Sequence, residues 1–174
     1  MFVTIGRTQK KHDLVDALLE CHERIRRFTE LARELGARSD LPTSEVRDTC
    51  ERCARYFTDA LPLHVADEEQ SLVPRLAGLS REVDEALATM ETQHREHQEG
   101  LSRTLRALEG LRAAPSDPER RAELHTAASA LSAEFTLHLA MEETVLFPAI
   151  RTRLPIATQE LIAGEVRARR DAMP

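Results

Sequence analysis

Apolar residues recur at steps of three and four positions through most of the chain, so each long segment carries a single apolar stripe. The segments are rich in Ala, Leu, Glu and Arg, which are strong helix formers. Gly and Pro collect at joints near 36–42, 74–80, 110–118 and 148–155. The pattern predicts helices near 9–36, 43–76, 80–112 and 118–149, with a shorter fifth helix near 156–171.

Residues at the start of the predicted helices agree with these bounds. Ser80 and Asp117 are residue types that cap helix N-termini, and Pro118 suits the first helical position. Either Thr43 or Ser44 is expected to cap the second helix.

The stripes predict which side chains face a common core. They comprise Val15, Leu18, His22, Ile25 and Thr29 in the first helix; Val46, Cys50, Cys53, Phe57, Leu61, His64 and Glu68 in the second; Val83, Leu87, Met90, His94, His97, Leu101, Leu105 and Leu108 in the third; and Leu124, Ala127, Leu131, Phe135, His138, Glu142 and Val145 in the fourth. Four long helices with short loops predict an all-α, up-down-up-down four-helix bundle with a short C-terminal fifth helix. Pro62 lacks a backbone N–H, so we expect a kink or bulge in the second helix.

One motif occurs twice. The segment HVADEEQSLVP at 64–74 returns as HLAMEETVLFP at 138–148, a shift of 74 residues. A further histidine pair, His22 and His94, is separated by nearly the same interval of 72 residues. Each half of the chain therefore supplies one histidine and one His-x3-Glu pair.

The His-x3-Glu spacing places an imidazole and a carboxylate on one face of a helix. A lone histidine on an apolar stripe is more often a hydrogen-bonded core residue than a ligand. Two carboxylates and four imidazoles buried without counter-charge would cost several kcal/mol per carboxylate, and bound cations remove that cost. The duplication therefore predicts a site for two metal ions. Its candidate ligands are His22, His64, Glu68, His94, His138 and Glu142.

Length and composition narrow the protein class. A chain of 174 residues fits a single domain over 1–174, with a bundle core near 10–150. The net charge of −6 argues against binding nucleic acid or an anionic membrane. No apolar run approaches about 18 residues, and the N-terminus is too briefly apolar for a secretory signal. Three cysteines form no disulfide framework, so a cytoplasmic location is expected.

The repeated motifs resemble those of the hemerythrin-like (HHE cation-binding) proteins over about residues 10–150. The resemblance rests on His22, Gln93-His94 and the two His-x3-Glu segments with their EExxLxP continuation. It implies a non-haem di-iron centre in which Glu68 and Glu142 bridge the irons beside an oxo or hydroxo bridge. The four histidines would be terminal ligands. Manganese or zinc would also accept these donors.

His97 is an open case. It lies one turn beyond His94 on the inward stripe, but the resemblance implies a histidine pair separated by three residues, whereas His94 and His97 are separated by two. A fifth histidine would leave a single open position and favour reversible dioxygen binding. Without it, both irons keep open positions, which favours more reactive chemistry.

Neighbouring residues receive secondary roles. Glu69 and Glu143 are expected to accept from ligand N–H groups or to be solvated, and the alternative for Glu143 is that it is itself a ligand. A salt bridge at a helix flank is favoured for Glu134 over a role in proton transfer. Cys50 and Cys53 are interpreted as small core residues rather than half of a zinc or redox motif.

The remaining polar residues are weaker candidates. Tyr56 lies on a flank of the second helix and could tune the site, whereas His12 and His125 are expected at the surface or an edge. Other metal motifs fail on spacing: only Glu91-x2-His94 fits the Glu-x2-His of ferritin-like proteins, and His-Glu-x2-His is absent.

Three functions stay open from the sequence. The first is a di-iron protein that binds dioxygen or a related small ligand, such as nitric oxide or peroxide. The second is a di-iron oxidoreductase that consumes peroxide or nitric oxide. The third is an iron reservoir or structural bundle.

Overall fold

The computed structural model describes residues 13–172, which are almost entirely helical and contain no β-strand. The five helices are α1 (Leu14–Ala37), α2 (43–76), α3 (Arg81–Ala113), α4 (118–153) and α5 (Ile156–Asp171). Helices α1 to α4 pack in a ring in which each contacts the next and α4 returns to α1. The predicted all-α bundle with a C-terminal fifth helix is confirmed.

The first helix begins later than predicted. Asp13 caps α1: its Oδ1 accepts from the Asp16 backbone N–H at 2.7 Å, and the Asp16 carboxylate accepts from the Asp13 N–H at 3.3 Å. This reciprocal capping box fixes the start at Leu14 rather than near residue 9. His12 lies outside the described residues.

Two of the predicted caps are correct. Ser80 accepts from the Val83 N–H, and Asp117 accepts from the Glu119 N–H. The predicted N-cap of α2, Thr43 or Ser44, was wrong, because Pro42 occupies the N-cap position and makes no side-chain hydrogen bond. Thr43 and Ser44 already lie inside the helix.

Three π-helical turns interrupt the described helices, at Tyr56–Ala60, Glu68–Leu72 and Glu142–Leu146. In each, the residue directly before a proline donates its N–H five residues back: Leu61 to Tyr56, Val73 to Glu68 and Phe147 to Glu142. In a regular α-helix the proline ring would clash with the carbonyl group of the preceding turn. The wider π-turn avoids this clash, so the helix continues past the proline. The predicted bulge at Pro62 is confirmed, and it has two counterparts.

The inserted residue of a π-turn changes which side chains face inward. In α4, Leu146 is buried where Val145 was predicted, because the π-turn advances the helix by one residue. Upstream of that turn, Ala128 is buried rather than Ala127.

The inward-facing residues also differ from the prediction in the C-terminal half of α3. Gly100, Thr104 and Ala107 are buried, while Leu101 and Leu105 lie half-buried at the flank. Steps of four residues drift across the face of a 3.6-residue helix, so the stripe predicted beyond His97 turned gradually away from the core.

The apolar core consists of two clusters with a polar layer between them. One cluster lies around Leu18, Leu72 and Leu146, and the other around Ile25, Phe57 and Leu131. The histidines and glutamates of the two repeats occupy the layer that separates these clusters.

Helix α5 packs on the outside of α1 and α2. Its apolar side chains Ile162 and Val166 are buried, and Arg169 and Arg170 each form a 2.7 Å ion pair with the fully buried Asp67. No helix within 13–172 combines the length and apolar character needed to cross a bilayer. The expected cytoplasmic location stays a prediction.

Candidate metal centre

The four long helices bring six predicted ligand residues into the polar layer. None of the six is more than 6% exposed. Helix α1 supplies His22, α2 supplies His64 and Glu68, α3 supplies His94, and α4 supplies His138 and Glu142.

Each glutamate presents its two oxygens to two different histidines. For Glu68, Oε1 lies 3.1 Å from His64 Nε2 and Oε2 lies 3.3 Å from His94 Nε2. For Glu142, Oε1 lies 3.0 Å from His138 Nε2 and Oε2 lies 3.0 Å from His22 Nε2. Each carboxylate thus joins a histidine from its own repeat to a histidine from the other repeat.

These contacts divide the centre into two groups of possible metal ligands. One group contains His22 and His64, the other contains His94 and His138, and both share Glu68 and Glu142. Within each group the ligand atoms lie within 4.8 Å of one another. Two groups of possible ligands that share two carboxylates are consistent with the site for two metal ions that the duplicated motif predicts, and the number of bound ions stays a prediction.

The buried donor atoms fit a metal better than they fit one another. Despite the short N–O distances, no hydrogen bond of acceptable geometry from the described residues 13–172 satisfies most of these nitrogen and oxygen atoms. The unsatisfied atoms are His22 Nε2, His64 Nε2, His94 Nε2 and both carboxylate oxygens of Glu68 and Glu142. Buried polar atoms without partners are costly. A cation between them would accept the lone pairs that now face each other.

Burial also creates an electrostatic conflict that a cation resolves. It raises the pKa of Glu68 well above the ordinary value, and the Glu142 carboxylate raises it further. For Glu142, burial acts in the same direction, but the imidazoles of His138 and His22 outweigh it and lower the pKa. Burial lowers the pKa of His64 to about 3, so its ring is neutral and able to ligate.

Carboxylates hold the far ring nitrogens of two histidines, as expected for Glu69 and Glu143. Glu143 Oε1 lies 2.8 Å from His22 Nδ1, and Glu69 Oε1 lies 3.0 Å from His94 Nδ1. A proton on Nδ1, donated to the carboxylate, leaves the Nε2 lone pair free and sets the orientation of the ring.

The two remaining histidines differ. His138 Nδ1 lies 3.0 Å from Gln93 Oε1, whereas His64 Nδ1 has no hydrogen-bond partner among residues 13–172. By the 72-residue shift of the histidine pair, Cys21 occupies the position of Gln93. A thiol there in place of an amide explains why His64 lacks the contact that His138 makes.

His97 is buried but belongs to neither ligand group. Its ring packs against Phe135 and His138, with centroid distances of 4.8 and 4.9 Å, and its Nδ1 has no hydrogen-bond partner in the part of the chain that the structure describes. Burial and the neighbouring imidazoles of His138 and His94 lower its pKa to about 4. The structure places it beside the centre, on the wall of a cavity.

That cavity has a volume of about 150 Å³ and an apolar lining. Leu61, Leu101 and Phe135 contribute to its wall, and four histidines of the polar layer reach it: His64, His94, His97 and His138. A small uncharged molecule could therefore approach the centre without crossing a charged surface.

Other predicted residues have structural surroundings. Cys50 and Cys53 are core residues, as predicted, and burial raises their thiol pKa values to about 11 and 12. Glu134 forms no ion pair within the described chain, contrary to expectation. Its Oε2 is buried and has no hydrogen-bond partner among residues 13–172, and a Cβ added at Gly100 would lie 2.7 Å from it. His125 lies at an edge, with Nδ1 3.1 Å from the Arg33 carbonyl oxygen.

Sequence reasoning missed one residue that supports the site. Arg26 Nη2 donates to Glu143 Oε1 at 2.7 Å, so one carboxylate oxygen contacts both the guanidinium and His22. The four-residue spacing between His22 and Arg26 was available in the sequence, but the partner 117 residues away was not.

The fold and the grouped histidines and glutamates define a helical-bundle protein with a candidate dinuclear cation site. A sequence profile of the hemerythrin HHE cation binding domain matches residues 13–111 and 88–165. The chain belongs to this family. It is also 29% identical over 85 residues to an uncharacterized protein of Haemophilus influenzae, an alignment that covers 46% of this chain and 48% of that protein. The matched region is thus about half the length of the relative.

Proposed function

We propose that this protein is a non-haem di-iron protein that binds a small ligand such as dioxygen, nitric oxide or peroxide. Glu68 and Glu142 would bridge the two irons, because each directs its two oxygens toward different histidines. The four histidines of the two groups would be terminal ligands. Manganese or zinc could occupy the same donors.

The bridging geometry is the observation that carries the proposal. A salt-bridged core would pair each carboxylate with a charged donor, but His64 is neutral by its surroundings and most of the facing atoms have no hydrogen bond within residues 13–172. Four imidazoles and two shared carboxylates together suit divalent iron. When bound, iron supplies open coordination positions and one-electron chemistry.

The apolar cavity beside His97 supports a small ligand. Its volume of about 150 Å³ and its apolar lining favour a compact, weakly polar molecule over a charged metabolite. His97 would contact such a ligand from the cavity wall rather than occupy a coordination position.

One observation favours a second function, a di-iron oxidoreductase that consumes peroxide or nitric oxide. The two ligand groups are equivalent, with two histidines and the shared carboxylates in each, and His97 is in neither. Both irons would then keep open positions, and activation of a ligand between them becomes feasible.

Anaerobic iron loading tests these proposals. Elemental analysis should give two iron ions per chain, and optical spectra should change on separate addition of oxygen, peroxide and nitric oxide. A slowly decaying oxygen spectrum indicates ligand binding, and repeated peroxide or nitric oxide consumption indicates the oxidoreductase. Two irons without any spectral response indicate an iron reservoir, and one ion or none per folded chain contradicts the dinuclear site.

Matched histidine variants separate the ligands from the cavity wall. His94→Ala should lose iron, whereas His97→Ile should retain two ions per chain because His97 belongs to neither group. Iron loss in His97→Ile with full occupancy in His94→Ala would show that the two histidines have been assigned the wrong way round.

A further inference from the structure

A second cavity, separate from the apolar one, opens between α1, α2 and α5. It has a volume of about 440 Å³, and four arginines line it. We name it the arginine cleft after Arg24, Arg52, Arg55 and Arg170.

The charge of the arginine cleft is opposite to that of the protein. Four guanidinium groups and one carboxylate, Asp59, line it. Because Arg170 is already paired with the buried Asp67, the groups of the cleft keep a formal charge of +2, whereas the whole chain carries −6. Within residues 13–172, no carboxylate lies within ion-pair distance of Arg52 or Arg55. A local positive cleft on a negative protein focuses the field on small anions.

The wall of the cleft is aromatic and apolar. Phe28 and Tyr56 stack face to face, with a centroid distance of 4.0 Å and an interplanar angle of 6°. Leu63 extends this surface. The combination suits an anion with an apolar body rather than a bare inorganic ion, because the wall offers contact area but few polar partners.

Two residues beside the metal centre also line the arginine cleft. Cys21 lies directly before His22, and its Sγ accepts from Arg24 Nη2 at 3.4 Å and from Arg170 Nη2 at 3.7 Å. His64 is 3% exposed, lines the same cavity, and has an Nδ1 without a hydrogen-bond partner in the described chain. A ligand in the cleft would therefore lie next to one histidine of the centre.

We propose that the arginine cleft binds a small organic anion with an apolar body, such as an aromatic carboxylate. Its carboxylate contacts Arg52 and Arg55, and its ring lies on the Phe28–Tyr56 surface. This site is distinct from the apolar cavity beside His97, which takes the uncharged small ligand. The inference does not depend on bound iron, and the test is run on metal-free and iron-loaded protein.

The thiol of Cys21 provides a reporter inside the cleft. Cys50 and Cys53 are 1% and 0% exposed, whereas Cys21 is 9% exposed. The reagent 5,5′-dithiobis(2-nitrobenzoate) is an aromatic dianion. The Cys21 thiolate attacks one of its sulfurs, a mixed disulfide forms as the reagent's S–S bond breaks, and nitrothiobenzoate leaves with the electron pair. Neutral 4,4′-dithiodipyridine undergoes the same exchange, and Cys21→Ala gives the background.

The rate of labelling by the anionic reagent divided by the rate for the neutral reagent measures anion recognition. The accessibility of the Cys21 thiol and its thiolate fraction affect both rates equally and cancel in this ratio. Arg52→Gln/Arg55→Gln should lower the ratio by about fivefold or more. The control Arg103→Gln/Arg106→Gln, which alters a different surface groove on α3, should leave it unchanged. An equal change of both rates in the cleft variant, or no change, overturns the proposal.

Protection experiments identify the ligand class. At constant ionic strength, benzoate should slow labelling of Cys21 by the neutral reagent, and neutral benzamide should not. The protection should disappear in Arg52→Gln/Arg55→Gln. Equal protection by inorganic phosphate contradicts an organic ligand with an apolar body, and equal protection by chloride contradicts a specific site.

Discussion

Glu143 Oε1 lies 2.8 Å from His22 Nδ1, although 121 positions separate the two residues in the chain. The equivalent contact in the other direction joins Glu69 to His94 at 3.0 Å. The halves of the chain therefore exchange carboxylates. The exchange is unequal, because Arg26 also donates to Glu143 and the Glu69 side chain is 48% exposed against 27% for Glu143.

This inequality predicts different effects of the matched variants Glu143→Gln and Glu69→Gln. Loss of the less exposed carboxylate, which also pairs with Arg26, should weaken iron binding by about 10-fold or more, and loss of the exposed one should weaken it less. Competition with a coloured iron chelator measures both affinities. A larger loss in Glu69→Gln would contradict the role given to the Arg26 contact.

Glu68 and Glu142 should differ in the metal-free protein. The pKa of Glu68 is raised in the folded state, so at neutral pH its ionisation costs stability. The contribution of Glu68 to the free energy of unfolding is greatest below the ordinary pKa of a glutamate. This contribution is lost as the pH rises through the raised pKa of the folded state. Glu142 has a lowered pKa, so its charge stabilises the fold above the ordinary pKa and this contribution is lost in acid.

At pH 7, Glu68→Gln should therefore stabilise the metal-free protein by about 1–2 kcal/mol and raise its melting temperature. Glu142→Gln should lower the melting temperature. With iron, wild-type protein should have the highest melting temperature of the three proteins, because it gains stability from metal binding and both variants bind the metal poorly. Thermal melts with and without iron measure these effects. Identical melts of wild-type protein in both states would count against ligands in the core.

His97 should contribute to acid sensitivity of the metal-free protein. Burial lowers its folded pKa to about 4, while the unfolded chain takes up the proton near pH 6.5. Stability is therefore lost as the pH falls from about 6.5 to about 4, by at most about 3 kcal/mol from this residue. His97→Ile should flatten the pH dependence of unfolding by urea in this range. An unchanged slope would argue that His97 is solvated in the folded protein.

Gly36 allows α1 and α4 to approach closely. A Cβ there would lie 2.5 Å from the His125 backbone nitrogen and 2.8 Å from the Arg121 carbonyl oxygen. Gly36→Ala should lower stability by about 3 kcal/mol, because rigid backbone must move. Gly164→Ala in α5 meets nothing within 4 Å and should gain about 0.5–1 kcal/mol. Denaturant melts compare the two, and a tolerated Gly36→Ala would show that the helices can separate.

Local rules were sufficient for most of the bundle. Steps of three and four residues located all five helices, and the duplication identified six residues that converge although they lie on four separate helices. The same spacing gave wrong core residues where the helical repeat is interrupted. Val145 was predicted inside and Leu146 is buried, because a π-turn adds a residue that simple periodicity does not contain.

Contacts between distant residues were harder to obtain. The acceptor roles of Glu69 and Glu143 followed from their rotation relative to the bridging positions, but their particular histidines did not. Which carboxylate meets which imidazole depends on how α1 lies against α4 and α2 against α3. The packing of α5 through Asp67 likewise depends on a partner about 100 residues away.

The π-turns at Glu68 and Glu142 make the prolines part of each motif. In both, the glutamate carbonyl accepts from the residue directly before Pro74 or Pro148, and a buried leucine ends the turn. A designer who copied only His-x3-Glu into a regular helix would rotate everything after the carboxylate by about 100°. The leucine that ends the turn, which packs in the apolar cluster around Leu18, would then face a flank. The transferable unit is therefore an eleven-residue segment with its proline rather than a pair of ligands.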